Sequence, residues 1–178
     1  MTNYRRRRIA GGSYFFTVNL ADRGSTLLVD RIDTLRRACC TVLADHPVRI
    51  DAMVVLPDHL HAVWTLPPGD DDFSTRWKKI KTAFTKSVTK SVGGTWPCGR
   101  SKVLKGERGL WQRRFWEHAI RDQADMNGHI EYCWINPVKH GLVRRVADWP
   151  HSSFHRAVRE RVVPEDWGGT AREGAFGE

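Results

Sequence analysis

Four things are scarce in this sequence, and each absence narrows what it can be. Cysteine is one: Cys39, Cys40, Cys98 and Cys133 are the full set, and no two form a C-x-x-C pair. That spacing excludes a disulfide framework and a zinc ribbon, leaving reduced thiols partly in a core. Long apolar runs are another. No stretch approaches the ~20 apolar residues of a membrane span, and no apolar segment follows the basic N-terminus as a secretory signal requires. The expectation is a soluble cytoplasmic protein, associated with the nucleoid and not with membranes. Tyrosine is the third scarcity, with three residues, Tyr4, Tyr14 and Tyr132. Fourth, acids vanish from one long segment. Between Phe73 and Gly106 there are nine lysines and arginines and no aspartate or glutamate.

The acid-free segment carries a surplus of +9, equal to the net charge of the whole chain. A surplus of that sign favours an anionic partner, nucleic acid first. The length of 178 residues suits one compact domain with arms. A composition with 8 Trp and 7 Phe excludes general disorder.

Hydrophobic periodicity sets the order of elements. Tyr14–Leu20 is a β-rich run entered through Gly11-Gly12. Asp30–Asp45 reads as a helix, with Ile32, Leu35, Ala38, Cys39, Val42 and Leu43 inward. Val48–Leu56 and His59–Leu66 form a hairpin about Pro57-Asp58. Ser74–Val92 is an amphipathic helix with Ser74 as N-cap and Trp77, Ile80, Phe84 and Val88 as its apolar stripe. Arg76, Lys78, Lys79, Lys81 and Lys86 lie off that stripe. With no acids interleaved to pair with them, they read as a phosphate-backbone surface. Trp116–Arg121 is a last short strand, and Asp122–His140 a final helix closed by Gly141. The fold class is therefore α+β, a ferredoxin-like β-α-β-β-α-β antiparallel sheet. The additional C-terminal helix carries Tyr132 over the open sheet face.

Chemistry concentrates in two places. In Asp58-His59-Leu60-His61, side chains two apart on a strand share a face. His59 and His61 thus point together, half of a metal site, while Leu60, Ala62 and Trp64 turn to the core. On the last helix Tyr132 and Asn136 are i,i+4 neighbours, with His129 and Lys139 near the same face. Pro137 weakens the helix there and offers Asn136 an alternative role as a cap. Tyr4 falls in the arm and Tyr14 in a strand, so Tyr132 is the candidate nucleophile. Gly94–Ser101 approaches a P-loop but has Arg100 where lysine is required and follows a helix. Pro97-Cys98-Gly99-Arg100-Ser101 lacks the second cysteine of a zinc deaminase.

Seven blocks in order resemble the REP-associated tyrosine transposases, a branch of the single-tyrosine HUH endonucleases. They are Asn3–Arg6 with Gly12–Thr17, Pro57–His61, Trp77–Phe84, Trp111–His118, Tyr132–Val138, Trp149–Ser153 and Asp166-Trp167. The resemblance spans nearly the whole chain and implies a specific activity. The HUH pair falls on His59 and His61, the nucleophile on Tyr132, and a third, polar ligand on Asn136, with Glu117 in reserve. Mg²⁺ or Mn²⁺ would be the cofactor, polarising a scissile phosphate that Tyr132 attacks to give a 5′-phosphotyrosine. His129 or Lys139 would stabilise the phenolate. The implied partners are palindromic single-stranded DNA hairpins, met by a monomer or homodimer. Arg5, Arg6, Arg7, Arg8, Arg113 and Arg114 would join the basic helix in holding DNA, and the Trp111–Trp116 run would offer stacking surfaces.

The implied layout is an arm over 1–12, a nuclease domain over 13–143, an extension over 144–168 and a disordered tail over 169–178. Two rivals remain from the residues alone. One is a non-catalytic hairpin-binding module on an RRM-like sheet. The other is a zinc hydrolase using His59, His61 and Cys98.

Overall fold

The computed structural model describes residues 7–92 and 109–169. Strand β1 (Ser13–Asn19) leads through a short helix α1 (Leu27–Asp30) into α2 (Ile32–Asp45). Strands β2 (Arg49–Val55) and β3 (His59–Thr65) form a hairpin, followed by α3 (Phe73–Val92). Strand β4 (Trp116–Ala119), helix α4 (Gln123–Lys139), a 3₁₀ turn (Val146–Asp148) and helix α5 (Phe154–Arg159) complete the chain. The expected first helix, Asp30–Asp45, is interrupted at Arg31. The cap of α3 is also shifted: Asp72, not Ser74, accepts the Thr75 amide at 3.0 Å, and a carboxylate suits a helix N-terminus better than a hydroxyl.

The four strands form one antiparallel sheet in the order β2-β3-β1-β4. Alternation sorts each central strand onto two buried faces, which explains why the sequence of β1 is apolar almost without a break. Tyr14, Phe16 and Val18 join Leu60, Ala62 and Trp64 under α2 and α3. On that side the Trp64 and Trp77 rings stack at 4.1 Å. Phe15, Val63, Ala52 and Val54 face the other way, under α4 and the C-terminal segment. Helix α4, which carries Tyr132, does cover the second face of the sheet.

Arg76 is the main correction to the surface expected of α3. It is 3% exposed and all five of its N–H groups have acceptors. Nε donates to the His46 carbonyl at 3.0 Å and Nη1 to Asp70 Oδ1 and the Asp72 carbonyl at 3.1 and 2.9 Å. Nη2 donates to the Pro47 carbonyl at 3.0 Å and to Asp70 Oδ2 at 2.6 Å. The guanidinium therefore ties the start of α3 to the α2–β2 connection and leaves no N–H group for phosphate. Lys81 is half-buried, its ammonium donating to the Gln112 carbonyl at 2.6 Å. Trp111 is likewise no stacking platform. It is buried in the first core, and its indole donates to Thr85 Oγ1 at 3.1 Å.

The outer edge of β2 is closed by residues from the C-terminal extension. Val54 bridges Ser152, the Val55 amide donates to the His151 carbonyl, and the Ser153 amide donates to the Met53 carbonyl. Arg156 Nη2 donates to the Ile50 and Asp51 carbonyls at 2.7 and 2.9 Å. These bonds satisfy an edge that would otherwise invite pairing with another chain. Phe154 and Ala157 of α5 share the core under α4, so 144–168 packs as part of the same body. Apart from Gly169, the expected tail lies outside the described residues, as do Arg5, Arg6 and Cys98.

Candidate metal and nucleophile site

Antiparallel register carries the two histidines to one place. In β3, His61 stands opposite Thr17 on one side and Val54 on the other, and His59 stands opposite Asn19. All of these belong to the face beneath α4. His59 is 2% exposed and His61 0%, with ring centroids 4.9 Å apart.

Each imidazole is anchored through Nδ1. His59 Nδ1 meets Asp58 Oδ1 at 2.7 Å, and His61 Nδ1 meets Thr17 Oγ1 at 3.0 Å. Asp58 is itself held by Arg23 at 2.9 Å. The two Nε2 atoms are buried and meet no hydrogen-bond partner among the described residues. The same holds for Oδ1 and Nδ2 of Asn136, a residue with no exposed surface. Buried polar atoms are normally paired, so two imidazoles and a carboxamide left open on this side of the sheet ask for an explanation. Burial pulls the His59 pKa below its ordinary value, only partly offset by Asp58. Burial, followed by the neighbouring positive groups, lowers that of His61 well below. Both rings are neutral at pH 7, with lone pairs to give.

Helix α4 delivers the phenol. Asp122 caps its N-terminus through the Asp125 amide at 2.9 Å. The helix continues through Pro137, and the Asn136 side chain caps nothing. It ends where Gly141, at φ +67°, allows its own amide to reach Val138 and that of Leu142 to reach Pro137. Tyr132 is 4% exposed. Its ring lies 5.2 Å from that of His61 and 5.8 Å from Phe15. The Lys139 ammonium sits 5.0 Å from the Tyr132 ring centre, and the His140 ring 5.2 Å from His59.

A second cluster stands on the same face. Asp125 Oδ2 accepts from His118 Nε2 at 2.8 Å and from Arg121 Nε at 3.1 Å. His129 Nδ1 donates to the Asp125 carbonyl at 2.8 Å and lies 3.2 Å from Oδ1. Burial alone raises the Asp125 pKa, but the His118 and Arg121 hydrogen bonds outweigh it and hold the carboxyl well below its usual range. These groups could be grouped as metal ligands by proximity. They already satisfy one another, however, and a guanidinium occupies the carboxylate. The open Nε2 pair of His59 and His61 fits a cation better.

Glu117 does not join either cluster. It stands opposite Phe16 in the β1–β4 register, on the α2/α3 side of the sheet, so strand alternation removes it from reach of His59 and His61. Sequence reasoning missed Asp58, Thr17, His118, Asp125 and His140 as neighbours of the site. Asp58 directly precedes His59 and was open to view, whereas the others needed cross-strand register and the approach of α4. Lys78, Lys79 and Lys86 are exposed on α3, and Arg7, Arg8, Arg113 and Arg114 are exposed elsewhere. Helix α3 lies on the opposite face of the sheet from Tyr132.

No family model matches the chain. It is 48% identical to the REP-associated tyrosine transposase of Escherichia coli over 178 residues, which is 100% of this chain and 98% of the relative. A Haemophilus influenzae protein is 44% identical over 169 residues, 95% of this chain and 94% of its own. Among solved structures, a REP-associated tyrosine transposase bound to a REP hairpin matches with a TM-score of 0.85 and 47% identity. That match covers 100% of this chain and 98% of the other.

Proposed function

The chain belongs to the REP-associated tyrosine transposases, and from that premise we propose that it cleaves and rejoins single-stranded DNA at palindromic hairpins, with a divalent metal ion and a covalent 5′-phosphotyrosine. The hairpin carried by the solved relative supports this substrate class. The observation that carries the chemistry is the pair of buried imidazoles. Both are fixed through Nδ1, both have Nε2 without a protein partner among the described residues, and the Tyr132 ring lies 5.2 Å from one of them.

His59, His61 and the Asn136 carboxamide oxygen would hold the ion. Two imidazoles and one neutral oxygen are softer than the oxygen set Mg²⁺ prefers, so the donors favour Mn²⁺ of the two. Bound there, the ion supplies Lewis-acid polarisation of a phosphate oxygen.

The protein's own groups do the rest. The Tyr132 oxygen forms a bond to phosphorus while the bond from phosphorus to the 3′ oxygen breaks, and that oxygen takes up a proton from water to leave as a free hydroxyl. A free tyrosine phenol ionises only near pH 10, so attack at neutral pH calls for a group to take its proton. The Lys139 charge beside the ring favours the phenolate. His129, neutral through burial and oriented by Asp125, is the group for the departing proton. Rejoining reverses these steps, because the phosphotyrosine keeps the bond energy.

The test is a labelled palindromic oligonucleotide incubated with Mn²⁺ and run on a denaturing gel. A covalent adduct that disappears in Tyr132→Phe and in EDTA is expected. Tight binding with no adduct under Mg²⁺ or Mn²⁺ would leave the non-catalytic hairpin-binding module instead.

A further inference from the structure

The exposed lysines of α3 sit on the far side of the sheet from Tyr132, so they cannot by themselves hold the strand that enters the metal site. Another basic surface is placed to do so. A depression of about 600 Å³ opens beside the β2 edge, and among the groups lining it are Arg36 of α2, Ser152, and His155, Arg156 and Arg159 of α5. Its one acid, Asp148, is already paired with Arg145 at 2.6 Å. Arg145 is outside the lining, so the three lining arginines are left in excess. Arg36 makes an exposed contact with Asp33 at 3.2 Å, of the weak kind that exchanges easily for another anion. Arg156 is different. One end of its guanidinium is fixed on the β2 carbonyls, which sets the direction of its remaining N–H groups before any ligand arrives.

Sheet register connects this depression to the site. Val54 is the cross-strand partner of His61 on one side and of Ser152 on the other. Adjacent strands lie about 4.8 Å apart, so the backbone at Ser152 is roughly 10 Å from that at His61. Val54 between them is fully buried beneath α4, so a strand leaving the histidine pair would pass around α4, and not over Val54, to bring its next phosphates to this edge.

We propose that the depression lined by Arg36, Arg156 and Arg159 is a phosphate-binding surface for the DNA segment flanking the cleaved bond, separate from the lysine face of α3. The inference rests on the proposed function and deepens it. Arg36 and Arg159 supply exchangeable charge, while Arg156 both supports the β2 edge and presents a fixed donor. The occupant is the sugar–phosphate backbone, because three of the nine lining residues are arginines and the one lining acid is already paired with Arg145.

The experiment uses the full-length protein, a fluorescently labelled palindromic hairpin with a single-stranded flank, and EDTA to prevent cleavage. Affinity is measured by anisotropy from 50 to 200 mM salt for the parent and for Arg36→Glu/Arg159→Glu. Both residues are at the surface, and a thermal melt checks that the variant is folded. The expected result is binding weakened roughly tenfold or more, with a salt slope shallower by about 0.7–0.9 for each phosphate no longer neutralised. Removing the flank from the DNA should erase most of the difference between parent and variant. An unchanged affinity and slope in a folded variant would overturn the proposal, as would an equal loss on flankless and flanked hairpins. Failure of the parent itself to bind the hairpin would count against the proposed function instead, so the two failures are distinguishable.

Discussion

Arg76→Met separates a structural arginine from a DNA contact in one variant. Methionine keeps the aliphatic stem and removes five hydrogen bonds, two to Asp70 and three to the carbonyls of His46, Pro47 and Asp72. Breaking a buried pair by deleting one partner costs about 3–5 kcal/mol. The Asp70 side chain is 31% exposed, so water recovers part of its loss, and about 3 kcal/mol is the expected cost. With a urea slope of ~2 kcal/mol/M for a chain of this size, the unfolding midpoint should fall by about 1.5 M. The thermal midpoint should fall by about 6–12 °C. Hairpin binding measured below the transition should keep the parental salt slope, because this guanidinium has no N–H group left for a phosphate. The reasoning is refuted if the variant unfolds within ~0.5 kcal/mol of the parent while its salt slope drops by the ~0.7–0.9 that one phosphate accounts for.

Asn136→Leu should stabilise the metal-free protein by up to about 1–3 kcal/mol, since it removes a buried carboxamide with no hydrogen-bond partner among the described residues, and should weaken Mn²⁺ binding. Urea melts and calorimetric Mn²⁺ titration check both halves, and a loss of stability with unchanged metal affinity would sink the ligand assignment. Asp58→Asn and Thr17→Val should each weaken Mn²⁺ by roughly 10–100-fold by loosening the Nδ1 anchors, with Thr17→Ser retaining affinity. Metal-free stability should depend on acid in a stated direction. The folded pKa values of His59 and His61 lie below the unfolded value near 6.5, so the unfolded chain binds more protons in that window. Stability should therefore be full above about pH 6.5 and fall as pH drops, by up to about 1.4 kcal/mol per pH unit for each ring. Melts at pH 7, 6 and 5, compared with those of His61→Asn, should show a steeper fall for the parent.

Much of this architecture was legible before any coordinates. The β-rich runs Tyr14–Leu20 and His59–Leu66 and the 3-4 spacing of Trp77, Ile80, Phe84 and Val88 are local signals, set by backbone geometry. They placed the strands and helices to within a few residues. The pairing of His59 with His61, and the Tyr132–Asn136 helix face, followed from the same periodicities. What periodicity could not show is which polar residue meets which. Arg76 looked like its lysine neighbours because a charge off an apolar stripe is usually solvated. Only the packing of α3 against the α2–β2 connection supplies the carbonyls that bury it. Glu117 was a reasonable reserve ligand until the β1–β4 register turned it to the other side.

The sequence by itself determined the order of the elements, the apolar faces, the shared direction of the two imidazoles and the scarcity that made Tyr132 stand out. All of these depend on spacing within about ten residues or on simple composition. The tertiary structure decided that Asp58 and Thr17 hold those rings and that Asn136 is buried with no protein partner among the described residues. It also decided that the lysine helix lies behind the sheet and that three arginines gather beside β2. Those outcomes depend on contacts between residues far apart in the chain, where the balance of burial and hydrogen bonding is settled only once the sheet has chosen its register.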